Sequence, residues 1–262
     1  MDTFDNAALY FEPNDWTIWN MTILNNFGYL NGFNPTPCNF RTSCLRGTFY
    51  MDNAGAGLNV IGNVVWMPEP ALLPVDEWHP VEPLWVAFNN DGGSHTLVVN
   101  NLLVDMPNVS CNSGGGLAWA SFGQQSNASQ FYEDMRAVNW NTPGSPFAVA
   151  YPALAMLQDF YSTEPACAVN PLCPAAPWGN AIARNVAVNV SGMLDPPVPA
   201  AHFPASNFNI SNNLVNVDPL FVSPDPRATL DFRLRPDSPA YTALDPPFQE
   251  IPWCFGPWAV CS

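Results

Sequence analysis

The 262-residue chain is 48% hydrophobic and 13% aromatic, enough to bury a large core as one elongated domain, which excludes disorder. Charge is scarce and one-sided: seven arginines, no lysine and 22 acidic residues give a net charge of −15. Such a field repels phosphate backbones and anionic headgroups, so nucleic acid and membranes are excluded as partners, and neutral glycans or cations fit better.

In chain order, five segments repeat one pattern, a central asparagine flanked at two positions on either side by a small or aliphatic residue. They are Trp16–Ile23 around Asn20, Asn59–Trp66 around Asn63, Leu97–Val104 around Asn101, Ile182–Val188 around Asn185 and Phe208–Val215 around Asn212. The flanking pairs are Ile18/Thr22, Ile61/Val65, Val99/Leu103, Ala183/Ala187 and Ile210/Leu214. Period-2 strands recurring around a fixed Asn point to stacked copies. An isolated inward amide would be expensive in a dry core, but stacked amides bond one another. The expected fold is all-β, a right-handed parallel β-helix, the hand following from the crossover rule for parallel strands.

The anchors lie 43, 38, 84 and 27 residues apart, so most intervals carry side loops beyond a bare repeat. The longest excursion, 106–179, holds Gly114-Gly-Gly116, helix-like pieces at Ser129–Val138 and Tyr151–Phe160 and a Pro-rich link, and reads as an aromatic arm packed beside the coil. From Asp218 onward, 218–262, closely spaced prolines end the coil and lead into an extended capping tail.

Seven cysteines form the close pairs Cys38/Cys44, Cys167/Cys173 and Cys254/Cys261, with Cys111 left over. All three pairs lie in loops, as loop-closing disulfides would, and no histidine stands near them as a metal partner. Asn-x-Ser/Thr acceptors at Asn20, Asn108, Asn127, Asn189 and Asn209 point the same way, to an extracellular or secretory-pathway address. The N-terminus lacks the basic start and apolar run of a signal peptide and enters a strand pattern almost at once. A missing N-terminal part is therefore expected, carrying the signal, a cap and the partner of Cys111.

The candidate catalytic pair is Asp52 with Asp91. Aligning Phe49-Tyr-Met-Asp52 with Phe88-Asn-Asn-Asp91 sets both acids at the same point of successive repeats, roughly 4.8 Å apart at the backbone. That is close to the ~5–5.5 Å of a retaining glycosidase, where one acid attacks and the other protonates the leaving oxygen. The competing reading is that both acids cap the Gly-rich turns that follow, while Asp105 ends a strand. Trp66, Trp85 and Trp119, with Trp78 and Trp140, either stack on sugar faces or cover the coil. His79 and His95 read as solvent-facing or hydrogen-bonded turn residues, and the Gly114–Gly116 run as a flexible turn. A polysaccharide lyase needs a base and cations; there is no lysine, Arg41, Arg46, Arg136 and Arg184 are scattered, and calcium is the one metal that would supply the charge. No other cofactor is expected, and no motif for a nucleotide is present.

Three C-terminal phrases, Asp218-Pro-Leu-Phe-Val222, Asp231-Phe-Arg-Leu-Arg-Pro-Asp-Ser-Pro-Ala240 and Phe248-Gln-Glu-Ile-Pro252, closely resemble the C-terminal signature of secreted β-helix repeat proteins of the pectin-lyase-like superfamily. Phe49-Tyr-Met-Asp-Asn53, Gly57–Asn63 and Asn101–Asp105 are similar to that group's strand motifs, and the region of Tyr151-Pro-Ala-Leu154 to its arm. The resemblance runs from about Phe49 onward. It implies the coil architecture, and an activity among polysaccharide lyases, glycoside hydrolases, epimerases and members of unknown role. The expected function is that of a monomeric, glycoside-hydrolase-like protein acting on a polysaccharide or glycan. The alternatives are a non-catalytic glycan-binding or cell-surface structural module, and a calcium-dependent lyase.

Overall fold

The computed structural model describes residues 6–11, 20–29, 45–51, 57–67, 84–90, 95–111, 142–150, 152, 179–194 and 208–253. Within them the chain is built of strands paired in parallel, with few and short helices. In chain order the strands are β1 (Asn6–Phe11), β2 (Thr22–Leu24), β3 (Phe27–Tyr29), β4 (Leu45–Met51), β5 (Asn59–Ile61), β6 (Val64–Trp66), β7 (Leu84–Asn90), β8 (Leu97–Val99), β9 (Leu102–Cys111), β10 (Asn180–Ala183), β11 (Val186–Leu194), β12 (Phe208–Ser211) and β13 (Leu214–Val215). Helix α1 is Pro146–Ala150 and α2 is Pro226–Thr229.

One sheet orders its strands β2-β5-β8-β10-β12, and its register runs Ile23↔Val60↔Val98↔Ile182↔Ile210. The larger sheet orders β1-β4-β7-β9-β11-β13, with β3 and β6 joining through the first half of β9. Each strand therefore pairs with its counterpart one repeat on, as the repeated pattern requires.

The asparagine ladder exists, but its members are Asn26, Asn63, Asn101, Asn185 and Asn213. Asn63, Asn101 and Asn185 stand where the sequence sets them; Asn20 and Asn212 do not belong to it. Asn212 is the residue before the ladder position, with φ of 53°, and the residues before the other members, Asn25, Gly62, Asn100 and Arg184, are also left-handed. Asn20 is a left-handed corner as well, accepting a bond from Asn59 Nδ2. Asparagine tolerates this conformation because its short polar side chain bonds locally, so one residue type serves two jobs at adjacent positions.

The corners also correct the flanking pairs. A left-handed residue breaks the strict alternation of a strand, so the inward residue lies three positions before the amide: Ile23, Val60, Val98 and Ile182 are buried, whereas of the expected flanking residues Ile61 and Ala183 are half-exposed and Val99 alone is buried. On the other side Val65, Leu103 and Ala187 do point inward. With Phe49, Phe88, Leu58, Met106 and Val190 they make one core.

A second core lies on the opposite face of the larger sheet. Val64, Trp66, Leu102, Val104, Val186 and Leu214 are covered there by Phe232, Leu244, Phe248 and Ile251 of the C-terminal segment. That segment is not simply extended. It contains α2 and a 3-10 turn at Pro239–Tyr241, and it folds back through an antiparallel bridge between Phe221 and Leu234. Two corner amides hold it: Asn212 exchanges a pair of bonds with the main chain of Asp245, and Asn100 does the same with Gln249.

Candidate functional site

A hollow of ≈ 620 Å³ opens beside the first half of β11. Its polar groups come from Asn189, Asn216, Asp218, Arg227 and Arg235, beside the Phe221 ring. Behind it stands a buried carboxylate, Asp105, 8% exposed. Asp105 and Asn189 occupy corresponding corners of successive repeats and have positive φ, as does Asn216, which lies one position earlier in the last repeat. The corners recur five residues apart, at His95, Asn100 and Asp105 and again at Gly179, Arg184 and Asn189.

Each oxygen of Asp105 takes two bonds. Trp66 donates its indole N–H to Oδ2 at 2.8 Å and Asn189 donates to Oδ1 at 2.9 Å. Arg227, on α2, lays its Nε and Nη2 across both oxygens at 2.5 and 2.6 Å. Burial alone pushes this carboxyl upward; the hydrogen bonds from Arg227, Asn189 and Trp66, with the Arg227 charge, outweigh it and hold the group below its ordinary value. The Arg227 guanidinium is in turn held further above its own value, chiefly by the bond to Asp105. A carboxylate with about four acceptor sites and four donors is saturated. It has no proton to give and no free lone pair to take one, so it works as an anchor that fixes α2 and the inner edge of Arg227. The Nη1 edge of Arg227 makes no bond to Asp105, and Arg235, whose Nε and Nη2 go to Asp237, is engaged in the same way.

No family model, curated protein or solved structure matches the chain.

Of the residues expected to act on a ligand, Asp52, Asp91 and Trp119 lie outside the described residues, as do Trp78, Trp140 and His79. Trp85 is placed by its backbone only, opposite Arg46 on β4. Trp66 is described, and its position argues against a sugar platform. It is 7% exposed, stacked on Tyr29 at 4.9 Å and tilted against Phe232 at 5.5 Å, with its N–H spent on Asp105. Covering the sheet took precedence over presenting a ring to solvent.

The paired cysteines Cys38, Cys44, Cys167, Cys173, Cys254 and Cys261 also lie outside the described residues, and Cys111 closes β9. Among the acceptor asparagines, Asn20, Asn189 and Asn209 are exposed, Asn189 with its Nδ2 bonded to Asp105, Asn108 lies within β9 and Asn127 is outside the described residues. His95 is a left-handed corner, half-buried against Gly179, and burial lowers its pKa. Among the described residues no group of three or more His, Cys, Asp or Glu is placed to hold a metal ion, and no helix is long and apolar enough to cross a membrane.

Asp105 itself reads from sequence as a strand end. What sequence reasoning missed is its partner, because Arg227 stands 122 residues away. The available signal was the five-residue recurrence of Gly, Asn, Asp and His, which marks Asp105 as a corner equivalent to Asn189.

Proposed function

We propose that the chain is an extracellular, carbohydrate-active right-handed parallel β-helix of the pectin-lyase-like kind, in which Asp52 and Asp91 form a glycosidase-type acid pair. The observation that supports this reading is the register of β4 on β7. Phe49 pairs with Phe88, Tyr50 with Asn89 and Met51 with Asn90, so the pairing runs up to the residue before each acid. One further step in the same register would set the two carboxylates on adjacent strands, at the ~5 Å spacing where one acid attacks the anomeric carbon and the other protonates the leaving oxygen. Like charges that close raise one of the two pKa values, as a general acid at neutral pH requires.

The test is hydrolysis of a panel of neutral glycosides with the anomeric form of the first product read by NMR. Retention is expected, with Asp52→Asn and Asp91→Asn each losing activity by three orders of magnitude or more while melting as the parent does. Full activity in either variant removes the two-carboxylate mechanism.

One observation favours a binding module instead. Asp105 is saturated, Asp218 and Asp225 cap turns, and Asp231 and Asp237 pair with arginines, so these acids all do structural work. In that reading the hollow beside Arg227 and Asn216 holds the glycan. Loss of glycan-array binding in Asn216→Ala, with no hydrolysis by the parent protein, would establish it.

A further inference from the structure

The triplet Asn189-Val-Ser191 is an acceptor for N-linked sugar, and Asn189 stands in the wall of the hollow beside β11. Both Asn189 and Ser191 are exposed. The Asn189 Nδ2 carries two hydrogens and gives one to Asp105 Oδ1 at 2.9 Å; among the described residues the other meets no acceptor. An N-glycosyl amide keeps one N–H. A sugar on Nδ2 therefore leaves the bond to Asp105 in place and the carboxylate saturated.

The hollow suits what that nitrogen would carry. At ≈ 620 Å³ it falls in the range of small-ligand sites, ~300–1,000 Å³. The half-buried Phe221 ring, with Pro219 and Pro224, supplies an apolar wall for the C–H faces of a sugar. Arg227 and Arg235 each lay Nε and Nη2 on a carboxylate of their own, Asp105 and Asp237, and among the described residues their Nη1 groups meet no acceptor. They offer donors whose charge is already balanced, which suits neutral hydroxyl and acetamido oxygens and gives an anion little net attraction.

We propose that Asn189 carries an N-linked glycan and that the hollow is the bed for its first sugars, so that the chain's own glycan occupies it in place of a free one. The proposal rests on the secretory-pathway address in the reading above and is independent of Asp52 and Asp91. The donor is a polyprenyl-diphosphate-linked oligosaccharide. Its anomeric C–O bond to the diphosphate breaks, a C1–Nδ2 bond forms, the diphosphate leaves and the second Nδ2 proton is lost to solvent. Arg227 and α2 are synthesised after Asn189, so the transfer precedes their docking.

The test places a cleavable signal peptide before the full chain, secretes it from cells that make high-mannose glycans and maps every acceptor by mass spectrometry of glycopeptides. Asn189 should be modified in most molecules, and Ser191→Ala, which leaves Asn189 in place, should remove that glycan alone. Endoglycosidase H, which cuts between the first two sugars, is then given to the folded protein and to the isolated Asn189 glycopeptide. Cleavage should be slower by about tenfold or more in the folded protein, because the bond to be cut lies in the hollow. Arg235→Ala, at an exposed residue, removes a donor from the bed and should raise the folded-state rate severalfold. Circular dichroism establishes that the variants fold; Arg235→Gln replaces Arg235→Ala if it does not. Since the added signal forces entry, a bare Asn189 overturns the proposal whatever the natural address, and modified Asn20 or Asn209 beside it would leave the secretory reading standing. Equal cleavage rates in folded protein and glycopeptide, or a folded-state rate that the Arg235 variant does not move, overturn the bed.

Discussion

Replacing Asn101 with leucine tests the ladder where it is most deeply buried. The Asn101 side chain is fully enclosed and makes five bonds: Nδ2 to the carbonyls of Val60 and Val99 and to Asn185 Oδ1, and Oδ1 from the N–H and Nδ2 of Asn63. Leucine has nearly the same outline and none of these groups. Asn63 N–H then loses its acceptor and the Val60 carbonyl loses this donor, each orphan costing about 1–3 kcal/mol in a site water does not reach. Asn63 Nδ2 keeps the carbonyls of Ile23 and Ile61 and adds little to the loss. Allowing about 1 kcal/mol of apolar gain, the net destabilisation is about 1–5 kcal/mol, at its upper end a large share of the roughly 5–15 kcal/mol that holds a typical domain together. Urea unfolding followed by circular dichroism, with linear extrapolation, measures it. Asn209→Leu, on an exposed edge strand, should change stability by less than about 0.5 kcal/mol. Equal losses at the two sites, or a loss under about 1 kcal/mol at Asn101, would refute the buried-ladder reasoning.

The depressed pKa of Asp105 implies stability that is present above its unfolded value, near 3.9, and lost as pH falls through the folded value; Asp105→Asn should remove that part of the acid limb in a pH series of melting curves. His95 is also depressed, by burial, so its contribution is intact above about pH 6.5 and declines as pH falls through the lower folded value; His95→Asn, which keeps a residue suited to φ of 52°, should flatten the slope in that window. Gly62→Ala should cost more than Gly144→Ala when both are compared by urea unfolding. Both glycines are left-handed, costing alanine about 1–2 kcal/mol, but at Gly62 the new Cβ would lie 2.5 Å from Asn25 Oδ1, whereas at Gly144 it would meet nothing within 4 Å.

The parallel repeat was legible because inward amides at regular strand positions have few other uses, and Asn63, Asn101 and Asn185 were found that way. The register at the two ends was not: the first repeat was centred on Asn20, a left-handed corner six residues before the ladder member Asn26, and the last on Asn212, where Asn212-Asn213 offers one residue suited to a corner and one to the ladder. Composition does not separate them; only the bond to the next repeat does. The core partner three residues before the amide was missed for the same reason, since period-2 reasoning has no place for a left-handed residue inside the pattern. Trp66 shows a different limit. Its exposure depends on a C-terminal segment whose contacts lie far along the chain, and local spacing carries no information about which face that segment covers. The Asp105–Arg227 pair is hidden by the same distance.

Asn101 and Asn185 are neighbours in the ladder although 84 residues of chain separate them, against 38 between Asn63 and Asn101. Beyond that excursion β11 returns to β9 in step from Val186↔Leu102 to Leu194↔Ser110. Closing the longer excursion costs only about 0.7 kcal/mol more than closing the shorter one, since the entropy grows with the logarithm of length. The seam is thus nearly blind to contour length. A foreign domain spliced between Cys111 and Gly179 should leave the scaffold folded, which makes that junction a natural socket for cargo, in evolution or by design.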